Sequence, residues 1–537
     1  MPNLKELQEG HVAYELSCFD RLYLNLRLPL LCSLGGISLF IRKVLGEKIP
    51  LVSAFKPFRD QFVKSIETFA RDNDLEIHRF TRQESKEEIA REHLEKRGTQ
   101  VPGVYFIGKA QEKVSVVQGG SSKSEITGGW WYQLRWGKVM ANQYYFYIWD
   151  ENWGTIFIKF SSYAPFAGRA YLNGHEYVKR QLEKAGIPFE ALDNGVKSCA
   201  DPKKAQQIAN NISAAKIDNM IRGWLKVIPT PIDRLTRRSR IRYEISMLQV
   251  EYALTQVWKK AQNGRQFFEQ AIRENLDLGR PEKVGLIFKK RITKRSKQKR
   301  FMTRVMQYGT IPVYHIYYKF NKLKQYFKEA ISLRTELTIN NPRDFGVGKT
   351  LNGTNLRGLR KVGEATINRL LRIETLSHDP SVSGEKLRAL ETPAEVGKGK
   401  RVSALPRSNT RVQALMNALI GCHLICGGFQ NRDLKGRLAQ LLGKDETEIS
   451  TGQMSYDLRR LKGHGLVNKV EGSHRYEVTP EGLQLAMFIS QVERRVYQEG
   501  LSELCSDIGE GRLKQAYDKF GREIETLFGR HHLDRAS

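Results

Sequence analysis

Residues 431–482 read NRDLKGRLAQLLGKDETEISTGQMSYDLRRLKGHGLVNKVEGSHRYEVTPEG, and they carry the clearest succession of structural signals in the chain. Leucines recur along 431–442 at the spacing of one helix face, which predicts a short amphipathic helix. Ser450 or Thr451 is a suitable cap for a second helix over 452–462, whose apolar residues again share one face. Two helices joined by a short turn are therefore predicted here.

Two short strand-like runs follow, 466–470 and 475–478, with a glycine-containing turn between them. Thr479 and Pro480 then provide the cap and the first residue of a last helix. This order of elements resembles a winged helix-turn-helix, in which the second helix enters the DNA major groove and the ribbon contacts phosphate. A winged helix used only for protein contacts is the alternative. Under the first interpretation, the predicted contacts are Arg459, Arg460, Lys462, His474 and Arg475.

The composition of the 537-residue chain points to a polyanionic partner. It is globular, with 40% hydrophobic residues, and has a formal net charge of +30. Such an excess opposes folding through self-repulsion, and its usual reason is nucleic acid rather than a membrane surface. We therefore expect the partner to be DNA or RNA and expect no membrane association. The composition does not indicate an oligomeric state. Six scattered cysteines and the lack of a signal peptide favour the cytoplasm.

The predicted fold class is α+β multidomain, with a mixed α/β body, an aromatic-rich sheet, a basic central region and a C-terminal winged helix-turn-helix. Residues 201–275 have a helical pattern, and 377–409 have the low hydrophobicity of a linker. The predicted regions are an N-terminal α/β region (1–100), an aromatic-rich α/β module with the candidate active site (101–200), a helical then basic strand region (201–345), a helix and linker (346–410), the winged helix-turn-helix (411–500), and a C-terminal helix and tail (501–537).

The run Lys289–Arg304 is rich in lysine and arginine and contains no acidic residue. Strand-like segments at 313–320 and 332–339 follow it, so tyrosine rings and cations are expected side by side. Rings that stack on bases next to cations that bind phosphate are typical of nucleic-acid interfaces. The predicted backbone contacts in this region are Lys289, Lys290, Arg291, Lys294, Arg295, Lys297, Lys299, Arg300, Arg304, Lys319 and Arg334.

A second candidate site combines acidic side chains and a histidine at predicted strand ends and loops. Metal-dependent cleavage of a phosphodiester needs two or three carboxylates around a divalent ion, and a histidine can act as general base. The predicted catalytic residues are Glu112, Asp150, His175 and Asp193, and the predicted ligands of Mg²⁺ or Mn²⁺ are Asp20, Glu112 and Asp150. The alternative is structural, with the two aspartates of 104–195 in turns and the histidine in a helix cap.

Other chemistries find less support in the sequence. Cys422 and Cys426 lack a second pair of ligands to complete a zinc site, and 346–350 lacks the first glycine of a nucleotide-binding loop. The order Tyr-x-Lys then Arg-x-Glu in 317–336 is loosely similar to rolling-circle replication initiators, in which a tyrosine attacks DNA. The His-hydrophobic-His metal motif of those enzymes is absent, and alternating tyrosines are common in half-buried sheets.

Several strings of the chain resemble a large family of multidomain bacterial proteins that end in a winged helix-turn-helix. The resemblance extends over nearly the whole chain and implies a three-part bacterial protein, but it implies no mechanism. The strings that carry it are VYFIGKAQEK (104–113), NQYYFY (142–147), LNGHEY (172–177), ALDNG (191–195), LRTELTIN (333–340) and YDLRRL (456–461).

The charge and the motifs leave three functional interpretations. The first is a nucleic-acid-binding protein that acts on DNA or RNA, as a metal-dependent endonuclease or nickase of a mobile element. The second is a sequence-specific transcriptional regulator with a large sensing or dimerisation body. The third is a scaffold that binds structured RNA. Loss of activity on carboxylate replacement, with binding intact, separates the enzyme from the two binders.

Overall fold

One sheet of eleven strands, mixed in direction, organises most of the chain, and a smaller helical region follows it. The predicted mixed α/β character is confirmed. The basic run Lys289–Arg300 and the predicted C-terminal helix and tail (501–537), apart from Lys519, lie outside the described residues. The structure is a computed structural model that describes residues 10–98, 101–123, 128–233, 241–275, 303–308, 311–378, 382–395, 401–423, 425, 428–493 and 519.

The strands are β1 (Val12–Arg27), β2 (Ile77–Arg79), β3 (Gly103–Lys123), β4 (Trp130–Asp150), β5 (Gly154–Ser161), β6 (Gly168–Asn173), β7 (Phe189–Leu192), β8 (Gly195–Cys199), β9 (Glu244–Trp258), β10 (Thr303–Tyr308), β11 (Ile311–Tyr318), β12 (Asn321–Lys328), β13 (Ser332–Ile339), β14 (Ala394–Glu395), β15 (Arg401–Val402), β16 (Val467–Lys469) and β17 (Tyr476–Val478). The large sheet has the order β10-β11-β12-β13-β9-β1-β6-β5-β4-β3-β2, and β2 pairs with β3 in parallel. It therefore crosses the predicted boundaries at residues 100 and 200.

The helices are α1 (Leu34–Leu39), α2 (Lys56–Asp72), α3 (Lys86–Arg97), α4 (Gly174–Lys184), α5 (Pro202–Asn210), α6 (Ala214–Trp224), α7 (Ala261–Asn275), α8 (Gly353–His378), α9 (Gly384–Glu391), α10 (Thr410–His423), α11 (Asn431–Leu441), α12 (Thr451–Gly463) and α13 (Pro480–Val492). None of the helices in the described ranges has the length and the apolar character needed to cross a membrane.

Alternation along the strands gives the sheet two faces of different chemistry. In β1, Leu22, Leu24 and Leu26 are fully buried, whereas Arg21 and Tyr23 on the other face are partly exposed. The leucine face packs against α2, α5 and α8 and forms the main hydrophobic core. The tyrosine face has a smaller aromatic core, where α3 covers β3 and β4.

Strand β9 lies in the centre of the sheet, between β1 and β13, inside the 201–275 stretch that is predicted to be helical. The prediction is wrong for Glu244–Trp258 and right for α5, α6 and α7. Every residue of β9 from Val250 onward is buried. Because both faces of this strand are buried, apolar residues lie on both of them, and the regular apolar–polar alternation of a half-exposed strand is lost from its sequence.

The C-terminal elements have a hydrophobic core of their own. Helices α11 and α12 and the β16–β17 hairpin confirm the secondary structure predicted for 431–478. Ser450 caps α12 by accepting a hydrogen bond from the Gln453 N–H, and Thr479 caps α13 in the same way. Part of the predicted linker is structured as well, because α9 and the β14–β15 pair form there. Leu387 and Leu390 of α9 pack in this core.

Candidate nucleic-acid interface

Four aromatic rings form a continuous row across the tyrosine face of the sheet, one each from β4, β5, β6 and β1. The ring centroids of Tyr145 and Phe157 are 5.4 Å apart. Those of Phe157 and Tyr171 are 5.3 Å apart with the rings stacked, and Tyr171 lies 4.9 Å from Tyr23. Side chains alternate between the two faces along a strand. The residues directly before and after each of these rings point into the main core, so the rings lie on the opposite face of the sheet.

A cleft of about 530 Å³ lies over this row of rings. Helix α3 forms one wall through Lys86, Ala90 and Leu94, and the turn at Asp193 and Asn194 lies at the other end. We call this space the tyrosine cleft. Its aromatic side chains are Tyr23, Tyr105, Tyr145, Tyr147, Phe157 and Tyr171, and its cationic side chains are Arg21, Lys86, Arg91, Lys159 and Arg169.

The electrostatics of the tyrosine cleft favour an anionic ligand. Its lining has five cations and three carboxylates, which belong to Glu87, Glu176 and Asp193. A fourth carboxylate, that of Glu112, pairs with Lys86 and Lys159. Arg91 and Arg169 are exposed at its surface. Burial raises the pKa of both Tyr23 and Tyr171, so their hydroxyl groups remain neutral at physiological pH. The cleft therefore combines neutral stacking surfaces with an excess of positive charge.

An ion-pair network closes the β3 end of the cleft. The carboxylate of Glu112 lies 2.6 Å from Lys159 Nζ and 2.6 Å from Lys86 Nζ, and it accepts a hydrogen bond from the Tyr145 hydroxyl. Although burial opposes its ionisation, Lys159 and its other partners lower the pKa of Glu112 to about 2. Burial in turn lowers the pKa of Lys159 to about 8. Glu112, a predicted metal ligand, is thus engaged by two lysines.

A second network lies under the other end of the cleft, and its central side chains, Asp20, Arg334 and Glu336, are buried. Arg334 Nη2 lies 2.7 Å from Asp20 Oδ2, and Arg334 Nε lies 2.5 Å from Glu336 Oε1. Glu336 also pairs with Lys324 and accepts a hydrogen bond of 2.8 Å from the Tyr326 hydroxyl. The prediction that Arg334 contacts a nucleic-acid backbone is wrong, because its side chain is buried and neutralises two carboxylates.

The predicted catalytic residues make different contacts and do not form one metal site. Asp150 accepts hydrogen bonds from the Asn152 and Trp153 N–H groups and from Trp224 Nε1. His175 is fully buried at the start of α4, and neither ring nitrogen has a hydrogen-bond partner within the described residues. Burial lowers its pKa well below the usual value. The carboxylate of Asp193 is exposed, 3.7 Å from a lysine of β12.

Within the described part of the chain, two groups of three side chains have potential metal-ligand atoms within 4.8 Å of one another. One combines Asp20 with Glu251 and Glu336, where the Arg334 guanidinium already provides the compensating charge. The other is formed by Glu76, His78 and His93. The predicted ligand set of Asp20, Glu112 and Asp150 is therefore not brought together, since only Asp20 belongs to either group.

The predicted nucleic-acid contacts in the central region are only partly covered by the structure. Lys289, Lys290, Arg291, Lys294, Arg295, Lys297, Lys299 and Arg300 lie outside the described residues. The backbone of Arg304 pairs with His315 across β10 and β11. Lys319 Nζ lies 3.1 Å from Asp344 Oδ1.

The predicted C-terminal contacts fall into two classes. Arg459, Lys462 and His474 are exposed. Arg460 instead donates to the carbonyl oxygens of residues 403 and 404, and Arg475 Nη1 donates to the Gly428 carbonyl at 2.8 Å. These two arginines hold neighbouring segments against α12 and β17, so their predicted role in base or phosphate contact is not supported by their side-chain geometry.

The sequence points to one of the four rings of the row, Tyr145, and does not single out Tyr23, Phe157 or Tyr171. The dense aromatic segment 130–153 draws attention to Tyr145, but Tyr23 and Tyr171 lie in short, unremarkable strings. The sequence feature that could have identified them is the alternation in RLYLNL (21–26) and GRAYLN (168–173). In each string the apolar residues share one face of the strand, and the tyrosine and the arginine share the other. Comparison of the chain with protein-family models, with curated proteins and with solved structures gave no match.

Proposed function

We propose that this protein binds nucleic acid, with a single-stranded or unpaired segment in the tyrosine cleft. The observation that carries the proposal is the row of rings from Tyr145 to Tyr23, bordered by exposed cations. Bases stack on aromatic side chains irrespective of sequence, and arginine or lysine side chains beside them neutralise the backbone. The net charge of +30 supports a polymeric anion over a small one.

We further infer that residues 431–478 act as a winged helix-turn-helix that contacts a duplex. Its support is the order α11, α12 and the β16–β17 hairpin, together with the exposure of Arg459 and Lys462 on α12. Met454 and Leu458 on the other side of α12 are buried in the C-terminal core. The exposed side of α12 is thereby available to a groove.

The geometry favours binding over the metal-dependent cleavage predicted from the sequence. A divalent ion in the 104–195 module requires two or three converging carboxylates. Glu112 is paired with Lys86 and Lys159, and Asp150 accepts hydrogen bonds from a turn and from an indole. Both side chains have structural partners, so the nuclease interpretation has the weaker support.

The proposal is tested by fluorescence anisotropy with labelled single-stranded DNA, single-stranded RNA and duplex DNA. Tyr23→Leu and Tyr171→Leu remove one stacking ring each, and the expected cost is about 1–3 kcal/mol of binding free energy per stacked base. The loss should be larger for single strands than for duplex. Tyr163→Leu is the matched control, because Tyr163 is 38% exposed and does not line the cleft.

Circular dichroism of each variant separates loss of binding from loss of fold. Single-strand affinities that are equal in the wild type, the two cleft variants and the Tyr163 control would contradict the proposed interface. A salt dependence that is absent from the wild-type protein would contradict nucleic-acid binding as such, because phosphate contacts release counterions.

A further inference from the structure

We propose that Glu76, His78 and His93 form a binding site for a zinc-class divalent ion that ties α3 to the edge of the sheet. Glu76 and His78 lie at strand β2, and His93 lies on α3. One oxygen or nitrogen atom from each side chain lies within 4.8 Å of the other two. Residues from two separate elements thus already converge on one point.

Aromatic packing holds the two imidazole rings in place. The His93 ring stacks on Phe106 at a centroid distance of 4.1 Å and an interplanar angle of 10°. The His78 ring contacts Phe80 edge-on at 5.3 Å. The side chains of His93 and His78 are 15% and 24% exposed, so neither is fully enclosed by the protein. Since the rings are fixed by the core of α3 and β3, little ordering is needed on binding.

The second nitrogen of His78 has the partner that metal-bound histidines generally have. His78 Nε2 lies 3.3 Å from Glu84 Oε2, and the same oxygen accepts the Thr81 N–H at 2.6 Å. With Nε2 as donor to this carboxylate, Nδ1 carries the lone pair, and Nδ1 is the atom that faces Glu76 at 3.8 Å. A carboxylate that orients a histidine in this way fixes its tautomer and raises its basicity as a ligand.

The donor set selects the class of ion. Two imidazoles and one carboxylate suit Zn²⁺, with a fourth position left to water, whereas Mg²⁺ and Ca²⁺ prefer oxygen ligands alone. On the opposite side of the site, His93 Nε2 lies 3.9 Å from Glu76 Oε2. A bound zinc ion would lie between the three side chains, with a distance of ~2 Å to each ligand atom.

The position of this site gives the ion a mechanical role. Strand β2 pairs with β3 over three residue pairs at the edge of the sheet. Helix α3, the wall of the tyrosine cleft, begins after a short connection from β2. A metal bound between Glu76, His78 and His93 therefore holds the cleft wall against the sheet.

Zinc chloride titrated calorimetrically into untagged, chelator-treated protein tests the inference independently of any nucleic acid. We expect one Zn²⁺ per chain, an affinity about 10- to 100-fold weaker in Glu84→Gln, which keeps all three ligands, and a larger loss in His78→Gln and His93→Gln. His474→Gln, an exposed histidine elsewhere, is the control and should bind as the wild type does.

Amide hydrogen exchange provides the structural readout. Zinc should slow exchange within 86–97 in the wild type and in His474→Gln, but not in His93→Gln. Undiminished zinc uptake by the double variant His78→Gln/His93→Gln, folded by circular dichroism, would overturn the site. If the histidine variants fail to fold, unchanged affinity in Glu84→Gln together with unchanged exchange of 86–97 would overturn it.

Discussion

The guanidinium of Arg334 lies between the carboxylates of Asp20 and Glu336 and has no exposed surface. Its sequence neighbours in 332–339 alternate as in a half-exposed strand, and this pattern predicts a phosphate contact. The side chain is instead covered by the turn that follows β7, whose Asn194 carbonyl accepts a hydrogen bond from it. The charge of a residue is visible in the sequence, but its partner from a distant strand is not.

Removal of Arg334 tests this assignment. Arg334→Met leaves two buried carboxylates without their shared cation, and we expect a loss of about 3–5 kcal/mol in the free energy of unfolding of the sheet. Urea denaturation followed by tryptophan fluorescence measures it, because all seven tryptophans precede residue 259. Arg71→Met, an exposed arginine on α2, is the control. Equal stability of the two variants would show that the buried network is not required.

Glu374 on α8 gives a prediction for pH dependence. Burial raises the pKa of this carboxyl to about 8, although a hydrogen bond from Gln325 acts to lower the pKa. The folded protein therefore keeps the proton that the unfolded chain releases near its ordinary pKa of 4.5. The stability that this carboxyl contributes is complete below about pH 4.5 and is lost as the pH rises toward 8.

Glu374→Gln should remove that pH dependence, because the amide stays neutral and can still accept from Gln325. We expect the melting temperature of the variant to exceed that of the wild type at pH 8 and to approach it at pH 5. Glu95→Gln, exposed on α3, should change neither value. A parallel fall of wild type and Glu374→Gln between these pH values would contradict the prediction.

At the scale of elements, two arginines that are adjacent in the sequence of helix α12 have different environments. Arg459 is exposed, whereas Arg460 donates to backbone carbonyls in 403–404 and lies 3.6 Å from Asp457. The second arginine holds the segment before α10 against the helix. Adjacent positions on a helix point about 100° apart, so only one of them reaches the exposed side.

Duplex binding should follow this division. Arg459→Ala with Lys462→Ala should weaken duplex binding by about 1–3 kcal/mol per lost base contact and leave the melting temperature unchanged. Arg460→Ala should mainly lower thermal stability of the C-terminal region. Anisotropy and differential scanning calorimetry measure the two effects. The account of α12 fails if Arg460→Ala weakens duplex binding at unchanged stability while the Arg459/Lys462 variant binds normally.

The extent to which the sequence predicts the fold depends on how each element is buried. The elements of 431–478 carry caps, glycines and a single apolar face, and they are predicted correctly. Strand β9 has two buried faces, so its period is hidden. Pairing order is hidden as well, because β1 contacts β6 and β9, far along the chain, and no local signal encodes that choice.

For the candidate site, the sequence indicates which types of residue are abundant, but it does not indicate which of them lie together in the folded protein. The sequence is dense in aromatic residues over 130–153 and rich in cations, and both residue types line the tyrosine cleft. The predicted acidic residues do not form one site, because several of them pair with residues from other strands, as Glu112 does with Lys159 and Asp20 does with Arg334. Opposite charges that meet across a sheet satisfy one another before a ligand binds, and this pairing depends on strand order.

At the scale of the whole molecule, a row of aromatic rings lies on one face of the sheet, the C-terminal helices have a core of their own, and the chain has a net charge of +30. The net charge is expected to give steep salt dependence to any binding, wherever the nucleic acid lies. Salt dependence alone therefore does not locate the interface. The proposed location of the bound single strand is the tyrosine cleft.

Photocrosslinking tests that location most directly. A single-stranded oligonucleotide with halogenated pyrimidines, irradiated on the full-length protein and analysed by peptide mass spectrometry, reports which side chains stack on its bases. The account predicts crosslinks at Tyr23 and Tyr171, competed by unlabelled single strand. Efficient crosslinking confined to 276–302 or to 451–478, with none on the tyrosine face of the sheet, would contradict it.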